Sequence, residues 1–265
     1  MDGAPGEQGM AEILETLRIG DVVSGTVAEV RRPYGIVVRL DGRLGPVPAT
    51  VGPLYVSWRR PPYEAVRVGE RITAEVIDVD RERGVGLSLA ATENPELWAF
   101  LKSLRPGEML SGVVADVQRF GVFVTLDDGP PHPVYPGVGF VTTPELSWRH
   151  FDDLSEVVEV GQRVTGSFLY FDTPNGEARL SLRACEPDPF QEFADEAHEG
   201  QVLSGTVTML VPFGAFVGVA DGVEGLVHRD ELAPGETLEV GERIEVAIVD
   251  LDRDRRRLRL TRHLR

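Results

Sequence analysis

A chain of 265 residues that is 42% hydrophobic and 26% charged has the make-up of a globular protein, and no apolar run approaches the roughly 20 residues of a membrane span. A formal net charge of −16 argues against an electrostatic grip on a polyanion by the molecule as a whole. One cysteine, Cys185, excludes an internal disulfide framework and fits a reducing cytoplasm, the expected compartment.

From the N-terminus, Met1–Gln8 is acidic and glycine-rich, with none of the pattern of a secretion signal, and Met10–Leu17 reads as a short helix. A phrase then begins that the chain repeats three times. Gly20-Asp21-Val22-Val23-Ser24-Gly25-Thr26-Val27 returns as Gly107-Glu108-Met109-Leu110-Ser111-Gly112-Val113-Val114 and as Gly200-Gln201-Val202-Leu203-Ser204-Gly205-Thr206-Val207. The spacings of 87 and 93 residues suit one small domain per copy rather than a solenoid unit. Expected boundaries are 10–92, 106–184 and 199–265. Further glycines recur at matching places: Gly35, Gly121 and Gly214, then Gly69, Gly161 and Gly241. They mark the starts of the second and fourth strands as backbone demands. Between copies, Asn94-Pro95 and Asp188-Pro189 each open a short linker helix carrying aromatics, Trp98 and Phe100 in one and Phe190 and Phe193 in the other. Ser57-Trp58-Arg59 and Ser147-Trp148-Arg149 occur in copies one and two only, as packing tryptophans or as a partner surface.

Copy three shows its strands most clearly. Leu203, Gly205, Val207, Met209 and Val211 alternate with more polar neighbours, the period of a half-buried strand. A second strand spans Ala215–Ala220, followed by an Asp221-Gly222 turn and a third over Glu224–His228. Arg229–Leu232 leaves room for one helical turn. A fourth strand, Arg243–Leu251, puts Ile244, Val246 and Ile248 on one face. A fifth, Arg256–Arg262, buries Leu258 and Leu260 and turns Arg257 and Arg259 outward. The expected fold is all-β: three tandem five-stranded barrels of the oligonucleotide-binding (OB) type, joined by short helical linkers. Charge is uneven, with net −13 on Met1–His198 and −3 on Glu199–Arg265, where seven arginines crowd into Arg253–Arg265.

The ordered series Gly-x-x-x-x-Gly, Pro212-Phe213-Gly214-Ala215-Phe216-Val217, Gly225-Leu226-Val227-His228, Val249-Asp250-Leu251-Asp252 and Leu258-Arg259-Leu260-Thr261 resembles the S1 RNA-binding domain family. The resemblance covers about nine-tenths of the chain, strong in copy three, good in copy two and partial in copy one. It implies a single-stranded RNA surface formed here by Phe213, Phe216, His228, Asp252 and Arg257. Stacking on exposed rings tolerates any base, and arginine adds phosphate contact. Copy two keeps Phe120, Phe123 and Asp172, with Thr142 at the histidine place and Glu177 at the arginine place, Arg179 being nearby. Copy one has Tyr34, Val37, Pro48, Asp80 and Gly84 in the corresponding order. RNA binding is therefore expected to be best in copy three, weak in copy two and slight in copy one.

No phosphate-cradling Gly-rich loop with lysine, no paired helical histidines and no metal-ligand spacing among the five histidines occur. The expectation is a non-catalytic RNA-binding protein of translation, without cofactor, metal or membrane, whose partners are single-stranded RNA and the ribosome or a ribosomal protein. The rival expectation is a docking scaffold in which the two acidic N-terminal barrels contact a partner and RNA is secondary.

Overall fold

The alternation in the third copy becomes five strands: β11 (Val202–Val211), β12 (Gly214–Ala220), β13 (Val223–His228), β14 (Arg243–Asp252) and β15 (Arg257–Thr261). The computed structural model describes residues 16–41, 49–80, 82–232 and 237–263. Copy one forms β1 (Val22–Arg31), β2 (Gly35–Leu40), β3 (Ala49–Val51), β4 (Arg71–Asp80) and β5 (Gly84–Ser88). Copy two forms β6 (Met109–Gln118), β7 (Gly121–Leu126), β8 (Gly139–Thr142), β9 (Arg163–Asp172) and β10 (Glu177–Ser181). Each set closes into a barrel, its third and fifth strands parallel and its first strand antiparallel to the second and the fourth. Closure leaves no edge strand to pair with another chain. The helix expected over Met10–Leu17 lies outside the described residues except at its last two positions.

Branched side chains fill each barrel. In the third, Val207, Val217, Val227, Val246, Ile248 and Leu260 are essentially inaccessible. Full burial of each stabilises by roughly 1.5–3 kcal/mol before chain entropy is set against it. Gly205 must be glycine because a Cβ there would lie 2.4 Å from Val217 Cγ1 and 2.9 Å from the Gly218 carbonyl oxygen. Gly69, Gly161 and Gly241 have the opposite reason: open space around them, but φ of +86°, +88° and +89°.

One feature departs from strict alternation. The β11–β12 register slips between Val207 and Met209, a bulge repeated at Val27/Glu29 and Val114/Asp116. It consumes Thr208, so Met209, expected on the inner face with Val207, lies exposed outside.

The linkers form α1 (Leu89–Glu93), α2 (Pro95–Ser103) and α3 (Pro189–Glu196). Asp188 caps α3, accepting the Phe190 N–H at 2.9 Å, and α3 buries Phe190 and Ala194 in the third barrel's core. Asn94 precedes Pro95 as expected but makes no side-chain cap, because its Oδ1 accepts from Arg59 Nη2 at 3.3 Å instead. Ser88 caps α1 instead.

Two compact units divide the chain: residues 1–142 with 159–180, and residues 143–158 with 181–265. Each holds one Ser-Trp-Arg triplet, and in each the tryptophan is packing. In the first unit Trp58 Nε1 donates to the Thr173 carbonyl at 2.8 Å, and its ring meets Trp98 and Phe171. In the second, Trp148 lies between the guanidinium groups of Arg183 and Arg256, at 4.5 and 4.0 Å. Among the described residues no helix is long and apolar enough to cross a membrane.

Candidate nucleic-acid interface

On barrel three, strand pairing puts one outward side chain from each strand into a single row. Met209 faces Phe216, Phe216 faces Leu226, Leu226 lies beside Arg259, and Arg259 faces Asp250. All five lie outside the core, half-buried or exposed. The row therefore offers an aromatic ring with aliphatic neighbours on one side and a guanidinium on the other, the combination that stacks a base and meets its phosphate.

Phe213 and His228 stand together at one end of this face. Gly214 pairs with His228, and the Arg229 N–H donates to the Phe213 carbonyl at 3.0 Å. Phe213 is 47% exposed and the His228 side chain 45% exposed. His228 also begins the one-turn helix Arg229–Glu231, its Nδ1 3.4 Å from the Asp230 amide nitrogen and 3.2 Å from that residue's carboxylate. The two contacts need opposite protonation of Nδ1, so the amide bond belongs to neutral imidazole and the ion pair to imidazolium.

Asp252 and Arg257 pair with each other at the other end of the face, two residues past the central row, about 7 Å along the strands. Asp252 shapes its hairpin, Oδ1 accepting the Arg255 N–H at 2.9 Å. Asp80 does the same in copy one for the amides of Arg83 and Glu82, both at 2.8 Å, and these bonds hold its carboxyl below the usual range. In copies one and three this aspartate is thus first a turn residue, whereas the Asp172 carboxylate accepts from the side chains of Asn175 and Arg179. Arg257 has Asp252 opposite and, by register, Glu224 alongside. Arg259 lies between Leu226 and Asp250 at the level of Phe216. Arg259 is the arginine that sequence reasoning passed over. Alternation placed both outward, and only cross-strand register separates them.

Copy two departs from expectation. Its row is Phe123–Phe140–Arg179, equivalent to Phe216–Leu226–Arg259. Phe120 is 63% exposed, as the pattern requires, but Phe123 is only 5% exposed and is not a surface ring. The β7–β8 connection, residues 127–138, lays Tyr135 on it with ring centroids 5.2 Å apart. Copy three has only Asp221 and Gly222 at that place.

Glu177, at the place of Arg257, is 3% exposed, and burial pushes its carboxyl up to about 7 despite Arg179. Arg179 lies 3.1 Å from Glu177 Oε2, but that oxygen has no hydrogen-bond partner. Arg179 instead bonds Asp172 and lies 4.5 Å over the Phe140 ring.

Copy one is emptier still. Its row is Val37–Thr50–Gly86, with neither ring nor charge. Tyr34 stands alone at 81% exposed. Register places Gly52, not Pro48, at the histidine position, because Gly52 precedes the helical turn Pro53–Tyr55 as His228 precedes Arg229–Glu231. Pro48 itself lies outside the described residues.

Among the described residues no group of three His, Cys, Asp or Glu side chains could hold a metal ion.

A family model described as "S1 RNA binding domain" matches residues 16–90, 103–183 and 196–263. Small ribosomal subunit protein bS1 of Mycolicibacterium smegmatis is 38% identical over 267 residues, covering 96% of this chain and 53% of that one. The bS1 protein of Staphylococcus aureus (strain COL) is 33% identical, covering 96% and 64%. The chain thus spans about half to two-thirds of the length of these curated relatives. Among solved structures, GSP13 from Bacillus subtilis is 28% identical with a TM-score of 0.26, covering 29% of this chain and 59% of that one.

Proposed function

The chain belongs to the S1 RNA-binding-domain family, and from that membership we propose that it binds single-stranded RNA, chiefly through the outer face of barrel three. The observation that carries the reading is the outward-facing constellation of exposed Phe213 with half-buried Phe216 and His228, and with Arg259 at the level of Phe216. Asp252 and Arg257 extend it at one end, and Phe120 offers an exposed ring on barrel two. Recognition is sequence-tolerant, because stacking and phosphate contact carry little base information. The protein is non-catalytic and works in the cytoplasm on mRNA or rRNA during translation, in keeping with relatives named as small ribosomal subunit proteins.

Changing Phe213 and Phe216 together to Ala removes two stacking platforms, each worth roughly 1–3 kcal/mol. Affinity for a labelled single-stranded RNA should fall at least tenfold in fluorescence anisotropy while the fold persists. Undiminished binding refutes the reading.

A docking role is favoured by one observation, the concentration of negative charge (net −13) on Met1–His198. If the Phe213→Ala, Phe216→Ala protein still co-sediments with ribosomes, docking dominates.

A further inference from the structure

The outer face of barrel two is not bare. Residues 127–138 cross it, and their rings continue the stack that Phe123 begins. Phe123 and Tyr135 lie 5.2 Å apart at 22°, and Tyr135 and His132 lie 4.8 Å apart at 25°. These are the spacings of stacked aromatic groups, and an unpaired base seated on Phe123 would meet the same ring face.

The segment is tied down locally. His132 Nε2 donates to the Asn175 carbonyl at 2.9 Å, while its Nδ1 accepts the Val134 and Tyr135 amides at 3.1 and 2.9 Å. That fixes the neutral tautomer, and burial lowers the imidazole's proton affinity in the same sense. Thr125 Oγ1 donates to the Pro136 carbonyl at 3.1 Å. A Cβ on Gly137 would lie 2.4 Å from the Val124 carbonyl oxygen, so the backbone lies directly on β7.

Beneath the segment the groups are those of a binding face rather than of a core. Arg179 stacks on Phe140, and Glu177 Oε2 is buried without a hydrogen bond. Four prolines, Pro130, Pro131, Pro133 and Pro136, stiffen the segment, so little chain entropy opposes its seating.

We propose that residues 127–138 are an intramolecular cap, whose Tyr135 and His132 rings occupy the place where unpaired bases would stack, so that the Phe123 row of barrel two contributes to binding only when the cap is displaced. The proposal rests on the RNA-binding reading above. It differs from simple decay of the second copy, because the stacking row is present and covered rather than lost.

The test uses the full chain and a fluorescein-labelled twelve-residue oligouridylate. In the Phe213→Ala, Phe216→Ala background, adding Tyr135→Ala and His132→Ala should restore affinity at least fivefold. Further addition of Phe123→Leu, which keeps the site apolar but removes the uncovered ring, should remove that gain. A second variant replaces residues 127–138 with Asp-Gly, the connection of barrel three, and should behave alike. If either uncapped protein keeps barrel two folded by hydrogen exchange yet binds no more tightly than its parent, the cap is overturned. A gain that survives Phe123→Leu overturns it too, as does unfolding of the barrel in both variants, which would make the segment a structural wall. Failure of Phe213→Ala, Phe216→Ala to weaken binding would instead strike the RNA-binding reading, and the uncapped variants of the otherwise unaltered chain would still judge the cap.

Discussion

Barrels two and three thread five strands in the same order and put a phenylalanine, a large apolar residue and an arginine at the same three register positions. Phe216 nevertheless looks outward while Phe123 is 5% exposed. A connection decides it: Asp221-Gly222 turns tightly and leaves the face open, whereas residues 127–138 are long enough to fold back and cover it. Burial then changes the chemistry beneath. Asp252 and Arg257 sit in solvent reach, but Asp172, Glu177 and Arg179 become a mostly enclosed charge cluster with one unpaired oxygen. A barrel's strands thus specify where a binding row stands, and its loops decide whether anything can reach it.

The largest expected difference between the two faces is in stability. Phe123→Ala opens a cavity in an enclosed ring cluster and should cost about 3–5 kcal/mol, while Phe216→Ala should cost less than about 1.5 kcal/mol. Hydrogen exchange in β7 and in β12 reads the two separately, and equal losses would erase the distinction.

Next comes pH. The carboxyl of Glu177 is raised to about 7 in the folded chain. Its stabilising contribution is therefore complete below its unfolded value near 4.5 and disappears as pH rises through 7. Glu177→Gln should remove this loss. Between pH 5 and 8 the variant should gain about 1–3 kcal/mol on the parent in thermal or denaturant unfolding of barrel two. His132 is present in both proteins and cancels from the difference. A constant offset between the two proteins would mean Glu177 is not held protonated.

The smallest effect concerns the arginines. Arg259→Ala should weaken RNA binding severalfold, about 1 kcal/mol, and more than Arg257→Ala, because Arg257 stands two residues beyond the row that holds Phe216. The reverse order would put the working end of the face at the β14–β15 hairpin.

Much of this was legible residue by residue. Ile244, Val246 and Ile248 with Leu258 and Leu260 announce two strands sharing a core, and the Asp221-Gly222 turn is visible from its dipeptide. Phe213, placed on the surface by the S1 resemblance, is an exposed ring in the structure. Phe123 misleads because its neighbours in sequence match those of Phe216, while the ring that covers it comes from Tyr135, on a connection with no strand or helix pattern. Met209 misleads for a local reason, since a bulge adds one residue and inverts the alternation beyond it. Pro48 misleads because the connection between β2 and β3 differs in length among copies, so counting residues lands short of Gly52.

Period-2 hydrophobicity, recurring glycines and turn dipeptides were enough to point to three five-stranded barrels, because these signals act through neighbours a few residues apart, while the face that carries the rings came from the S1 resemblance. Tertiary structure alone decided which faces are open, which arginine stands level with the ring, and why a glutamate at the arginine place holds its proton. Those outcomes depend on cross-strand register and on groups such as Tyr135 and Asn175, brought together by closure of the barrel rather than by order along the chain.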